Sequence, residues 1–173
     1  MVKRIRWTER KFEFNLPPGV FPNLLVRLLG TAPRIEDLTK WLSNEELSFK
    51  SNGKWSIKEH IGHLIDLEEL HEKRLAEILQ GKGTLTAADM TNRKTNDANH
   101  NLKSIAELLS EFRRVREDFV NRLEALDEGT ILKSGIHPRL NQPMRIIDIA
   151  YFTSEHDDHH LTIIKEIINI QTQ

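Results

Sequence analysis

A chain of 173 residues with 38% apolar and 29% charged side chains suits one globular domain rather than a disordered chain. Its 25 basic and 26 acidic residues leave a formal charge of -1 with no basic stripe, which argues against nucleic acid as a partner. Cysteine is absent, which removes disulfides, thiolate nucleophiles and Cys-ligated zinc and leaves His, Asp and Glu as metal ligands.

The basic opening, Met1 to Arg6, leads into polar Trp7 to Glu13, where a secretory signal would carry its apolar run. No apolar stretch reaches the ~20 residues that span a bilayer. A cytoplasmic protein without a membrane partner is expected.

Residues 1–19 read as a polar lead-in closed by Pro17-Pro18-Gly19. Leu24, Leu25, Leu28, Leu29, Ile35, Leu38 and Leu42 recur at helical spacing across Phe21 to Leu42. Gly30 and Pro33 interrupt them, so this first helix is expected to be kinked or split. Ser56-Ile57-Lys58-Glu59 is a capping box, and a helix is predicted from there to about Gln80, stopped by Gly81 and Gly83. Residues 82–100 are Thr/Asn-rich and read as a long connection. A third helix is marked by Leu102, Ile105, Leu108, Leu109, Phe112, Val115, Phe119 and Leu123 and ends before Gly129. Ser134 to Pro143 carries turn chemistry and reads as a loop. The last helix runs from about Arg145 nearly to the end, with Ile146, Ile149, Phe152, Ile163, Ile167 and Ile170 as its apolar positions. Strand signals are weak throughout. Four amphipathic helices in one domain over 1–173 predict an all-α four-helix bundle.

Three of the eight histidines form a pattern. His156 and His160 lie four apart on the last helix, on the stripe that joins Ile149 and Phe152 to Ile163 and Ile167, so they point into the bundle about 6 Å apart along the axis. His63 lies within the other strongly patterned helix, where a facing helix brings its ring to the same depth. Three imidazoles with an open fourth position suit a catalytic or substrate-binding divalent transition metal, and imidazole accepts zinc, nickel, copper or iron(II). The alternative is three core histidines with satisfied nitrogens, and at this point both readings stand.

His60 and His71 have no evident partners and read as surface or packing; His100 and His137 fall in loops and read as solvated. His156-Asp157-Asp158-His159-His160 approaches the His-Glu-x-x-His pattern of zinc proteases. An aspartate in the glutamate's place is a methylene short, and no third ligand follows downstream. Asp157 or Asp158 could instead hold a ligand imidazole from behind, with His159 beside the pair facing another way. Asp66 and Glu59 share the His63 helix and could assist proton transfer, though Glu59 already caps it. No residue is named as a general base.

Trp55-Ser56-Ile57-Lys58-Glu59, Gly62-His63-Leu64-Ile65-Asp66 and Glu155-His156-Asp157-Asp158-His159-His160-Leu161 resemble the DinB/YfiT-like superfamily over most of the chain. Trp7-x-x-Arg10-Lys11-Phe12, Thr91-Asn92-Arg93-Lys94-Thr95 and His137-Pro138-Arg139-Leu140 resemble features of one DinB subfamily. The resemblance implies an up-down four-helix bundle with an unusual connection, often dimeric. It implies one divalent metal, zinc or nickel foremost, on His63, His156 and His160. Asp66, Asp157 and His159 are then the candidates for holding those ligands in place. It further implies a small-molecule substrate and transfer of a low-molecular-weight thiol to an electrophile. Alternatives are a hydrolase that acidifies a bound water and a non-catalytic metal-dependent binding or stress-response module.

Overall fold

The structure is a computed structural model that describes residues 2–171; Met1 of the lead-in lies outside them. The helices are α1 (Phe21–Leu29), α2 (Thr31–Thr39), α3 (Asn44–Ser48), α4 (Ile57–Leu79), α5 (Arg93–Asp97), α6 (Ile105–Glu124), α7 (Glu128–Ile131) and α8 (Ile146–Gln171). Among the described residues no helix is long and apolar enough to cross a membrane.

Local chemistry sets these boundaries. Ser56 Oγ accepts from Glu59 N at 3.2 Å while Ser56 N donates to the Glu59 carboxylate at 2.9 Å, completing the capping box of α4. Ser104 and Glu107 repeat the device on α6 at 3.1 and 2.7 Å, which starts that helix at Ile105, three residues beyond Leu102. Gly81 ends α4 at φ +74°, a left-handed conformation that a side chain resists. Pro33, with no N–H to continue the ladder, keeps α2 distinct from α1. The first bundle helix is therefore split, as expected.

Two loop expectations are overturned. Ser134–His137 and Gln142–Arg145 pair as an antiparallel hairpin, β1 and β2, in the register Ser134↔Arg145 to His137↔Gln142. Ile136 also bridges to Thr84, pinning the connection after α4 to the hairpin. Within residues 82–100, α5 forms a short helix of its own. Neither segment has the length or periodicity that marks an element in isolation; each is held by what it packs on.

Neighbours in the bundle do not simply follow chain order. α4 packs on α6 and α8, and α1 packs on the same two, so the first and second bundle helices occupy opposite corners. That arrangement brings α4 and α8, and with them His63 and the His156/His160 pair, face to face. The buried stripe of α8 continues from His156 and His160 to Leu161 and Ile164, leaving Ile170 57% exposed. Ile163 and Ile170 are thus not core positions, because the i+4 row through the histidines lands on Ile164.

The core has two apolar halves. One gathers Leu24, Leu28, Leu75, Phe119, Ile149 and Phe152; the other gathers Ile35, Ile61, Leu64, Leu108, Phe112 and Ile164. Between them in sequence on α6, α4 and α8 lie Arg116, Glu68 and Asp157, all buried. Arg116 Nε donates to Glu68 at 2.9 Å, its Nη2 donates to Asp157 at 3.1 Å, and its Nη1 also bonds Asp157.

Candidate metal centre

His63, His156 and His160 are buried, and each offers one ring nitrogen such that all three nitrogens lie within 4.8 Å of one another. The Nε2 atoms of His156 and His160 are 3.2 Å apart. Their ring centroids stand 5.4 and 4.9 Å from that of His63. Among the described residues no carboxylate or further histidine joins the cluster.

Burial keeps these rings neutral. It lowers His63 to about 4 and holds His156 and His160 well below the ordinary histidine value, neighbouring histidines adding repulsion at the latter two. Neutral imidazole is the ligand form.

The hydrogen bonds of His63 orient it for that role. Thr95 Oγ1 donates to Asp66 at 2.9 Å, which uses its only proton. The 3.1 Å contact between Thr95 Oγ1 and His63 Nδ1 must then have the ring donating, so Nε2 carries the free lone pair. His100 Nε2 meets the same Asp66 oxygen at 2.9 Å. Asp66 thus reaches His63 through Thr95, which α5 supplies. His160 Nδ1 lies 2.8 Å from His60 Nδ1, leaving its Nε2 toward the cluster. Among the described residues His156 Nδ1 is buried without a partner, so none of them fixes its tautomer. A donor set of three neutral imidazole nitrogens fits one divalent transition metal of the zinc, nickel or copper kind.

Several placements differ from expectation. Asp157 does not touch a ligand ring: it accepts from Thr31 Oγ1 at 2.7 Å and from Arg116, inside the core. Asp158 bonds Arg34 at 2.6 Å on the surface side. His159 is half-buried, its Nε2 3.4 Å from Arg4 and its ring 5.5 Å from that of His160. His60 and His71 are buried, and His60 has a partner in His160. His100 and His137 are buried rather than solvated, because the connections that carry them fold back on the bundle. A Cβ on Gly62 would lie 2.2 Å from the His100 ring, so that ring fills the place a side chain would take.

The lead-in also contributes. Trp7 sits 4.8 Å from His156 and Trp55 sits 4.8 Å from His63, centroid to centroid, so two indoles flank the cluster. The cluster opens into a cavity of about 470 Å³, walled by Trp7, Leu67, Leu70 and Phe152 and rimmed by exposed Asp89 and Met90. That volume suits a small organic molecule. Sequence reasoning missed the cavity and the role of His60, although His60 carried a usable signal, three residues before His63 on a capped helix. Trp7 and Thr95 stand within the motifs that resemble a DinB subfamily, but nothing local marked their places beside His156 and His63.

The chain matches the DinB superfamily over residues 27–164. It belongs to that superfamily. The structure of YfiT from Bacillus subtilis, described as a probable metal-dependent hydrolase with an unusual four-helix bundle topology, superposes with a TM-score of 0.80 at 12% identity, covering 95% of this chain and 94% of that one. At that identity the likeness is one of fold. No curated protein matches in sequence.

Two expected results arise from this DinB-superfamily site. Thr95→Val removes the acceptor for His63 Nδ1–H while keeping the shape, and should weaken metal binding by roughly 10–100-fold. Competition with a calibrated chelator measures it, and an unchanged constant would show that Thr95 does not orient His63. The second concerns acid. Histidines such as His60, held at about 3, and His63, at about 4, stay neutral in the fold but take up protons in the unfolded chain below about 6.5. The unfolded chain therefore binds more protons between those values, and stability present above pH 6.5 is lost as pH falls toward 4. Glu68, pushed up to about 7 by burial with Asp157 adding and Arg116 opposing, pulls the other way, but it is one group against several. Melting temperatures of metal-free protein should fall clearly between pH 7.5 and pH 5. A flat profile would mean the rings are not buried neutral.

Proposed function

We propose that this protein is a metal-dependent enzyme that transfers a low-molecular-weight thiol to a small electrophile at the His63–His156–His160 centre. The observation that carries the proposal is a three-imidazole set facing a cavity of organic-ligand size, with no further protein ligand among the described residues. A sealed four-ligand site would instead suit a structural ion. A divalent metal held there supplies the positive charge that keeps a thiol ionised at neutral pH.

The residues around the cluster favour thiol transfer over hydrolysis. A hydrolase needs a group to take a proton from water, and the obvious carboxylates are committed elsewhere. Asp66 accepts from Thr95 and His100, and Asp157 is paired with Arg116. Of the cavity's lining residues Asp89 alone is a carboxylate, and it is tied into its own turn by Thr91 and Arg93. A thiol, with an ordinary pKa of about 8.5 against about 15.7 for water, depends on such a base far less at the same metal. Trp7 and Trp55 screen the site from bulk water, which strengthens the electrostatics within. A homodimer and a cytoplasmic setting go with this reading.

The test is spectroscopic. Cobalt-substituted protein titrated with a small thiol should develop a sulfur-to-cobalt charge-transfer band, and the same thiol should be consumed with an electrophile such as a chlorodinitroarene. A cobalt spectrum indifferent to thiols, with hydrolysis of an activated ester by the same sample, would replace transferase by hydrolase.

A further inference from the structure

The cavity has a second chemical end. Arg74 and Arg139 line it, away from the histidine cluster, together with His137. Arg74 is buried and its Nε donates to the Thr86 carbonyl at 3.0 Å. Glu77 is the nearest acidic influence on it, yet the Glu77 oxygens are taken by Lys82 and by Thr86 N and Oγ1 at 2.5–2.7 Å. Arg139 is half-buried, reaches the Thr8 carbonyl at 3.5 Å through Nη1 and lies 5.9 Å over the Phe152 ring. Its Nη2 is buried without any partner. Neither guanidinium forms a salt bridge among the described residues. Burial lowers both, Arg139 adding repulsion at Arg74, and burial followed by the charges of the two arginines lowers His137 to about 4. Like charges left together in a low-dielectric cavity are costly unless an anion joins them.

Geometry links this end to the metal centre. His63 and Arg74 are eleven residues apart on α4, three helical turns, so they share one face at an axial separation of about 16 Å. Helical side chains lean toward the N-terminus, which tips the Arg74 guanidinium back toward His63. Leu67 and Leu70 lie between them on the helix and line the cavity together with Phe152.

We infer that Arg74 and Arg139 form an oxyanion-recognition end of the cavity, and that the substrate is a small molecule carrying a carboxylate or phosphate head on an uncharged body. This rests on the proposed function for which end reacts, not for the existence of the anion site. Arginine suits the task because its fork matches planar oxyanions with paired charge-assisted bonds.

The experiment is calorimetric titration of the protein as purified, at pH 8 and low salt, with octanoate, octyl phosphate and the neutral isostere octanamide. Octanoate or octyl phosphate should bind at least about tenfold more tightly than octanamide, since hydrogen bonds to charged groups are the strong ones. The tighter anion names the head group. Arg74→Gln and Arg139→Gln should each erase most of that preference. Arg139, being half-buried, is the variant expected to keep its melting temperature if Arg74→Gln misfolds. The His63→Ala variant should retain the preference. Equal binding of acid and amide overturns the inference. So does a preference that survives both arginine changes and disappears in His63→Ala; the anion would then be held at the histidine cluster, and the proposed metal chemistry would stand without this second end.

Discussion

Alanine in place of His156 or His160 is expected to take the metal content of the purified protein from about one ion per chain to near zero. The two residues lie one turn apart with their Nε2 atoms 3.2 Å from each other, so losing either ring leaves at most two nitrogens, which is too few to hold a divalent transition metal in competition with buffer. His63→Ala should do the same from the facing helix. The fold should survive each change, since the rings are neutral and the cavity beside them absorbs the lost volume. Elemental analysis beside a circular dichroism melt decides it. Exposed Trp41→Ala, remote from the cluster, serves as the control. Full metal occupancy in any of the three histidine variants would remove that residue from the ligand set.

Arg116→Met should be the most destabilising single change outside the site, by about 3–5 kcal/mol. Arg116 is 1% exposed and ties four bundle helices together: it rises from α6, bonds Glu68 of α4 and Asp157 of α8, and reaches the Leu28 carbonyl of α1 at 3.4 Å. Removing it leaves Asp157 buried with Thr31 as its remaining partner. Replacing all three charges together, as Arg116→Met, Glu68→Leu and Asp157→Leu, should cost far less and can even stabilise, because no uncompensated charge is left. Denaturant unfolding of the single and triple variants measures both. A loss under 1 kcal/mol for Arg116→Met would show that the ion layer is not coupled to stability. The consequence extends to function. Asp157 is adjacent to His156, so the layer also sets how α8 is rotated about its axis and where the ligand pair points.

That layer shows where reading the sequence stops. The row Ile149, Phe152, His156 and His160 is legible because a helix repeats every 3.6 residues, and Ser56 with Glu59 announces the start of α4 by a contact three residues long. Both are local relations. Arg116 lies on a stripe with Phe112 and Phe119, where a charged residue reads as an interruption until Glu68 and Asp157 arrive from other helices. His100 and His137 read as solvated because loop composition is polar, whereas the ring of one fills the gap over Gly62 and that of the other caps the cavity's cationic end. Asp157 beside His156 invites a role in holding it, but neighbours in sequence on a helix point about 100° apart.

Spacing within a few residues is enough to give the helical class, the break in the first helix, the capped start of α4 and the inward pair on α8, whereas the cap that starts α6 at Ile105 emerged with the structure. The tertiary structure alone decided that α4 and α8 are neighbours, that Thr95 and His60 stand behind the cluster, and that Arg74 and Arg139 share its cavity. Those relations join residues from 32 to 100 positions apart in the hydrogen bonds that define them, such as His63 with Thr95 and His60 with His160. Only the packing of whole helices, which buries their apolar faces together, brings such residues within reach.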